Sequence, residues 1–119
     1  MANDFKRICT PNVSNSSNST IYAVPAGSGS AALESIVIGI TMANKTSSGV
    51  TASIFIDNED GSNDVYIVKD ASIPAGSSLE VMSGNKLVLM NDGSNADNLE
   101  ASCSAGSSVD VTVSVLEDV

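Results

Sequence analysis

Two near-identical corners, Val24-Pro25-Ala26-Gly27 and Ile73-Pro74-Ala75-Gly76, interrupt this chain, and each leads toward an apolar run. Proline fixes φ and has no N–H to donate, while glycine tolerates backbone angles closed to other residues, so each corner marks a strand edge turning aside. Elsewhere the apolar runs are short and closed by Gly, Asn, Asp or Ser, and none sustains the spacing of an amphipathic helix. Only Ser30 to Glu34 has a composition fit for a single helical turn.

The runs read as eight strands: Thr20 to Val24, Glu34 to Ala43, Val50 to Ile56, Val65 to Lys69, Ser78 to Met82, Lys86 to Met90, Asn98 to Ser104 and Val109 to Leu116. In the last of these Val109, Val111, Val113 and Val115 alternate with Asp110, Thr112 and Ser114, so one face is expected buried and the other wet. Ile36, Ile38 and Ile40 alternate with Val37, Gly39 and Thr41, which predicts a central strand with its isoleucines on one face. The Lys45-Thr46-Ser47-Ser48-Gly49 turn predicts a hairpin between that strand and Val50 to Ile56. The fold class is therefore all-β, a single antiparallel β-sandwich of jelly-roll or immunoglobulin-like order.

Aromatic residues make up only 3% of the chain, which leaves the core to Val, Ile, Leu, Met and Ala, a set suited to pleated surfaces. With 119 residues one core is expected. Residues 12 to 20, Asn-Val-Ser-Asn-Ser-Ser-Asn-Ser-Thr, are polar and without periodicity, the composition of a flexible linker. The chain is thus expected to divide into an N-terminal arm and Ser/Asn-rich hinge over residues 1–19 and a sandwich over residues 20–119.

The formal net charge of −9 opposes any phosphate backbone, so nucleic acid is not an expected partner. The arm is the exception, with Lys6 and Arg7 against Asp4, ahead of an acidic body. No apolar stretch follows the basic pair as in a secretory signal, and none is long enough to cross a bilayer as a helix, so a soluble cytosolic chain without a membrane partner is expected. There Cys9 and Cys103 are either two free thiols or a late disulfide, and the sequons at Asn12, Asn15, Asn18 and Asn44 are expected to stay unmodified.

The search for reactive chemistry returns little. With no His and no Trp, and with neither cysteine beside a local base, His triads, His-rich metal sites and Cys-His nucleophiles are excluded. The densest acidic loop offers Asp57, Glu59, Asp60 and Asp64 as oxygen ligands for Ca²⁺, but it lacks the ligand order of an EF-hand. That loop and Asn91 to Asp97 are better read as solvated hairpin tips, rich in residues that tolerate positive φ and bond their own backbone. Gly27-Ser28-Gly29-Ser30 is not followed by a helix and has no lysine placed to reach a phosphate. No cofactor and no enzymatic activity are expected.

Thr20 to Gly27, the strand Ser35 to Asn44, the segment Val65 to Asp70, the second corner through Leu79, and the closing strand Val109 to Leu116 together resemble small β-sandwich virion proteins of tailed bacteriophages, particularly those of marine cyanophages. The resemblance covers most of the chain, including Met1 to Asn12. It implies a non-enzymatic structural role in the virion, assembly in the host cytoplasm, other virion proteins as partners, and a homo-oligomer in the particle. The place it implies is the tail, neck or baseplate, with capsid decoration on the head as the alternative. On that reading the arm docks, with Phe5 and Ile8 as apolar anchors and Lys6 and Arg7 meeting an acidic neighbour. A host-glycan-binding module is a further alternative, for which Tyr22 and Tyr66 are the candidate stacking residues.

Overall fold

The structure, a computed structural model, describes residues 3–27, 29, 32–57, 64–82 and 86–118. They form nine strands: β1 (Asn3–Thr10), β2 (Ser19–Ala23), β3 (Leu33–Asn44), β4 (Val50–Asp57), β5 (Asp64–Ile73), β6 (Ser78–Glu80), β7 (Leu87–Asn91), β8 (Asn98–Cys103) and β9 (Val109–Asp118). All eight strands read from the sequence are present, with their ends shifted by a few residues. Ser30 and Ala31, which open the helical turn considered from composition, lie outside the described residues, while Leu33 and Glu34 belong to β3.

Two antiparallel sheets pack face to face. The five-stranded sheet runs β1-β9-β3-β6, with β7 also on β3, and the four-stranded sheet runs β2-β8-β4-β5. Along β3, β6 pairs with Thr41 to Ala43 and β7 with Leu33 to Val37, so the two are halves of one interrupted strand. Counted that way there are eight strands, and successive strands alternate between sheets except within the β4–β5 hairpin. This is jelly-roll order, which settles the topology that the sequence left open.

The expected hairpin between β3 and β4 does not form. β3 pairs with β9, β6 and β7, whereas β4 pairs with β5 and β8, so the Lys45 to Gly49 connection crosses between sheets. Asn44 explains the crossing: its Nδ2 donates to Ser48 O at 2.8 Å and Ile73 O at 3.0 Å, and its Oδ1 accepts from Thr46 N at 3.0 Å. The first corner is held the same way. Asn91, at the end of β7, donates from Nδ2 to Val24 O at 2.8 Å and accepts from Gly93 N at 2.8 Å. In both cases a strand-end asparagine satisfies the carbonyl ahead of the proline while turning its own chain toward the other sheet. The second corner is also a tight turn, with Ser77 N on Pro74 O at 3.1 Å and Gly76 at φ +68°, where a side chain is disfavoured.

The core is aliphatic. Val109, Val111, Val113 and Val115 are all buried, as the alternation predicts, and meet Ile21, Ile54, Leu99 and Ala101 from the opposite sheet. β3 departs from its expected pattern. A bulge between Val37 and Gly39 shifts the pleat, burying Ile40 and leaving Ile38 exposed, so the three isoleucines do not share a face.

The arm is also corrected. Residues 3–10 are paired residue for residue with β9, from Asn3 opposite Asp118 to Thr10 opposite Val111, as the edge strand of the five-stranded sheet. The linker that follows is pinned by Val13, which is fully buried and donates its N–H to Val109 O at 2.9 Å. Both cysteines are free: Cys9 is exposed on β1, and Cys103 is buried with its thiol donating to Ala105 O at 3.0 Å.

Candidate interaction surface

Integration of β1 into the sheet splits the four residues expected to dock. Alternation along the strand sends Phe5 and Arg7 to the outer face, and Lys6 and Ile8 toward the inner one. Ile8 packs partly buried against the core. Phe5 does the opposite and is 74% exposed.

Pairing register makes Phe5 part of something larger. Phe5 lies opposite Leu116, Leu116 opposite Ile36, and Ile36 opposite Val88, so one row of apolar side chains crosses β1, β9, β3 and β7 on the outer face. At the usual strand spacing the row spans about 14 Å. Ile38, turned out by the bulge, and Met90 extend it. Of the six large hydrophobic residues exposed among those described, four (Phe5, Ile38, Val88 and Met90) belong to this band. Scattered exposed hydrophobics are ordinary on any protein, but a row assembled by register across four strands makes this face the candidate contact surface.

Behind the row, at the same end of the sandwich, sits a polar cluster not anticipated from the sequence. Glu117 is buried, and its Oε2 accepts from the Tyr22 hydroxyl at 2.5 Å. The Tyr22 oxygen lies 2.8 Å from Ser35 Oγ, and because its one proton is given to Glu117, Ser35 is the donor there. The other carboxylate oxygen lies 2.9 Å from Lys6 Nζ. This cluster ties β1, β2, β3 and β9 together. Burial, and then the bond to Glu117, raise the Tyr22 pKa well above its ordinary value, and the bond to Glu117 raises that of Lys6. A signal for it was present: Glu117 continues the odd-numbered register of the β9 valines, and so had to point inward.

The acidic loops fare differently from one another. Asp57 and Asp64 are register partners at the connected end of the β4–β5 hairpin, while Glu59 and Asp60 lie outside the described residues. Among the described residues no group of three or more His, Cys, Asp or Glu side chains gathers as for a metal ion. Asn91 to Asp97 folds back on itself as a tight antiparallel turn, with Asn91 bridged to Ala96, Asp92 N on Asn95 O at 3.0 Å and Asp97 N on Met90 O at 2.8 Å, before the chain passes from β7 in one sheet to β8 in the other. Its Asp92 bonds locally as expected, accepting from Ser94 N at 2.8 Å and Asn95 N at 2.7 Å, and these bonds lower its pKa.

Of the two tyrosines considered for stacking a sugar, Tyr22 is buried in the Glu117 cluster. Tyr66 is exposed on β5 but leans on Phe55, with ring centroids 5.1 Å apart, and carries Lys69 Nζ 4.9 Å from its centroid. No family model, no curated protein and no solved structure matches this chain.

Proposed function

We propose that this chain is a non-enzymatic structural protein of a tailed-bacteriophage particle, an accessory part of the tail, neck or baseplate that engages other virion proteins through the outer face of its five-stranded sheet. The observation that carries the reading is the apolar row Phe5, Leu116, Ile36 and Val88, extended by Ile38 and Met90. An aromatic anchor at one end of an aliphatic strip is the kind of patch from which binding energy is drawn. The net charge of −9 supports it from the other side, because mutual repulsion keeps free subunits apart until such a patch meets its partner. Jelly-roll sandwiches are a common build of virion parts, and the resemblance of the corner and strand motifs points the same way, although a fold hosts many functions.

The role in docking shifts from a loose arm to a presented strand. Phe5 is the anchor, Arg7 stands beside it on the same face, and Lys6 and Ile8 hold β1 in place. The test is gold-labelled antibody imaging of purified particles, with the Phe5→Ser/Val88→Ser variant in parallel. Label on tails that disappears with the variant is the expected result. Label on heads would overturn the proposed place in favour of capsid decoration, and unlabelled particles would overturn the virion role.

A further inference from the structure

β1 is bound to the sandwich without being part of its core. Apart from the three-residue β6, every other strand buries at least one apolar side chain, whereas no described side chain of β1 is buried. The buried set begins at Val13, which is anchored on Val109 independently of β1.

Between the strand and that anchor lie two residues, Pro11 and Asn12. Proline offers no N–H to the ladder, and Asn12 takes the left-handed conformation at φ +56°. Polar contacts latch the strand at both ends. Lys6 sits on Glu117 at one end. At the other, Asn12 N donates to Asp110 Oδ1 at 3.0 Å, and Lys45 Nζ reaches both Asp110, at 2.9 Å, and Asn12 Oδ1.

We infer that β1 exchanges between copies of this chain: in a reciprocal pair, β1 of each copy lies on β9 of the other, with Lys6 on Glu117 of the second copy and Pro11–Asn12 as the hinge. Each β1–β9 contact in the closed chain is remade in the exchanged pair, so the pairing itself does not oppose exchange. The balance rests on the hinge and on concentration. Opening lets Asn12 adopt an extended conformation and gives up its bonds to Asp110 and Lys45. Two chains of net charge −9 repel, so added salt favours the pair. The buried Glu117 carboxylate sets the specificity, since the strand that occupies β9 must bring a cation at the position of Lys6. The inference does not rest on the virion reading, because the partner is the chain itself.

A charge-reversal mixing experiment tests it. Lys6→Glu sets a carboxylate against Glu117, and Glu117→Lys sets an ammonium against Lys6, so neither variant closes well on itself. In a reciprocal pair of the two, the carboxylate introduced in β1 of the first faces the ammonium introduced in β9 of the second, and the unaltered Lys6 of the second faces the unaltered Glu117 of the first. Light scattering is expected to show each variant as a monomer and the equimolar mixture as a dimer; a mixture that stays monomeric, with both variants folded, overturns the exchange.

A second variant covers the failure of Glu117→Lys to fold. Thr112→Cys places a thiol directly opposite Cys9, within the reach of a disulfide. After oxidation with diamide, the ratio of covalent dimer to internally crosslinked monomer is expected to rise about in proportion to protein concentration and to increase with salt. Internal crosslinking alone at every concentration, or no more dimer than the parent chain forms through Cys9, overturns it.

Discussion

β1 and β9 share an eight-residue ladder, yet they belong to the molecule in different ways. β9 is a central strand, with β1 on one side and β3 on the other, and its odd-numbered residues from Val109 to Glu117 all point into the sandwich and are buried. β1 matches it bond for bond but leaves Phe5 in solvent and Ile8 only half covered. Backbone hydrogen bonds exchange water for protein at a modest net gain, whereas apolar burial drives folding. The same backbone pattern therefore fixes one strand and only aligns the other.

Substitutions on the two strands should then carry unequal costs, and the largest difference sits on a single register pair. Val113 and Ile8 face each other, so Val113→Ala is expected to cost about 2–3 kcal/mol, two methyl groups plus a cavity, while Ile8→Ala costs less than about 1 kcal/mol. Urea denaturation measures both, and equal losses would erase the contrast. Tyr22→Phe comes next, at about 1–2 kcal/mol, because it takes a donor from a buried carboxylate. If β1 is held through Glu117, that variant also speeds amide exchange in Phe5 to Cys9.

Two pH effects follow. Tyr22 and Lys6 have pKa values raised above their ordinary 10.0 and 10.5, so their contribution is complete below about pH 10 and is lost as pH rises through the folded values. A fall in melting temperature above pH 10 that is smaller in Tyr22→Phe is the expected result. The smallest effect is acidic. Asp110 has its pKa lowered, first by the Asn12 N–H and then by Lys45, so its contribution is complete above the ordinary 3.8 and fades as pH falls below it. Being largely exposed, it is expected to loosen the β1 hinge with little change in overall stability, seen as faster exchange at Asn12, whose N–H it accepts, than at Val113.

Much of the sandwich was legible because two-residue periodicity reports burial directly, as in Val109 to Val115. Sheet membership was not. The chain from Asn44 to Val50 has the length and turn residues of a hairpin, and what sends it across the sandwich is the carbonyl of Ile73, a distant residue bound by Asn44. The β3 bulge was hidden for a related reason, since Ile36 to Ile40 is apolar in both phases of the pleat. β1 was missed because its alternation, Phe-Lys-Arg-Ile-Cys-Thr, mixes charge with apolar residues, which is the pattern of an edge strand with little burial. The apolar row was illegible for a deeper reason: Phe5, Leu116, Ile36 and Val88 are brought into line by pairing register alone.

The most direct test of β1 as paired but unpacked is residue-resolved native-state hydrogen exchange. The account predicts that amides of Phe5 to Cys9 bonded to β9 exchange through a local opening well below the global unfolding free energy, while β9 amides bonded to β3 exchange only with global unfolding. Protection of β1 equal to that of the β9–β3 ladder would contradict it.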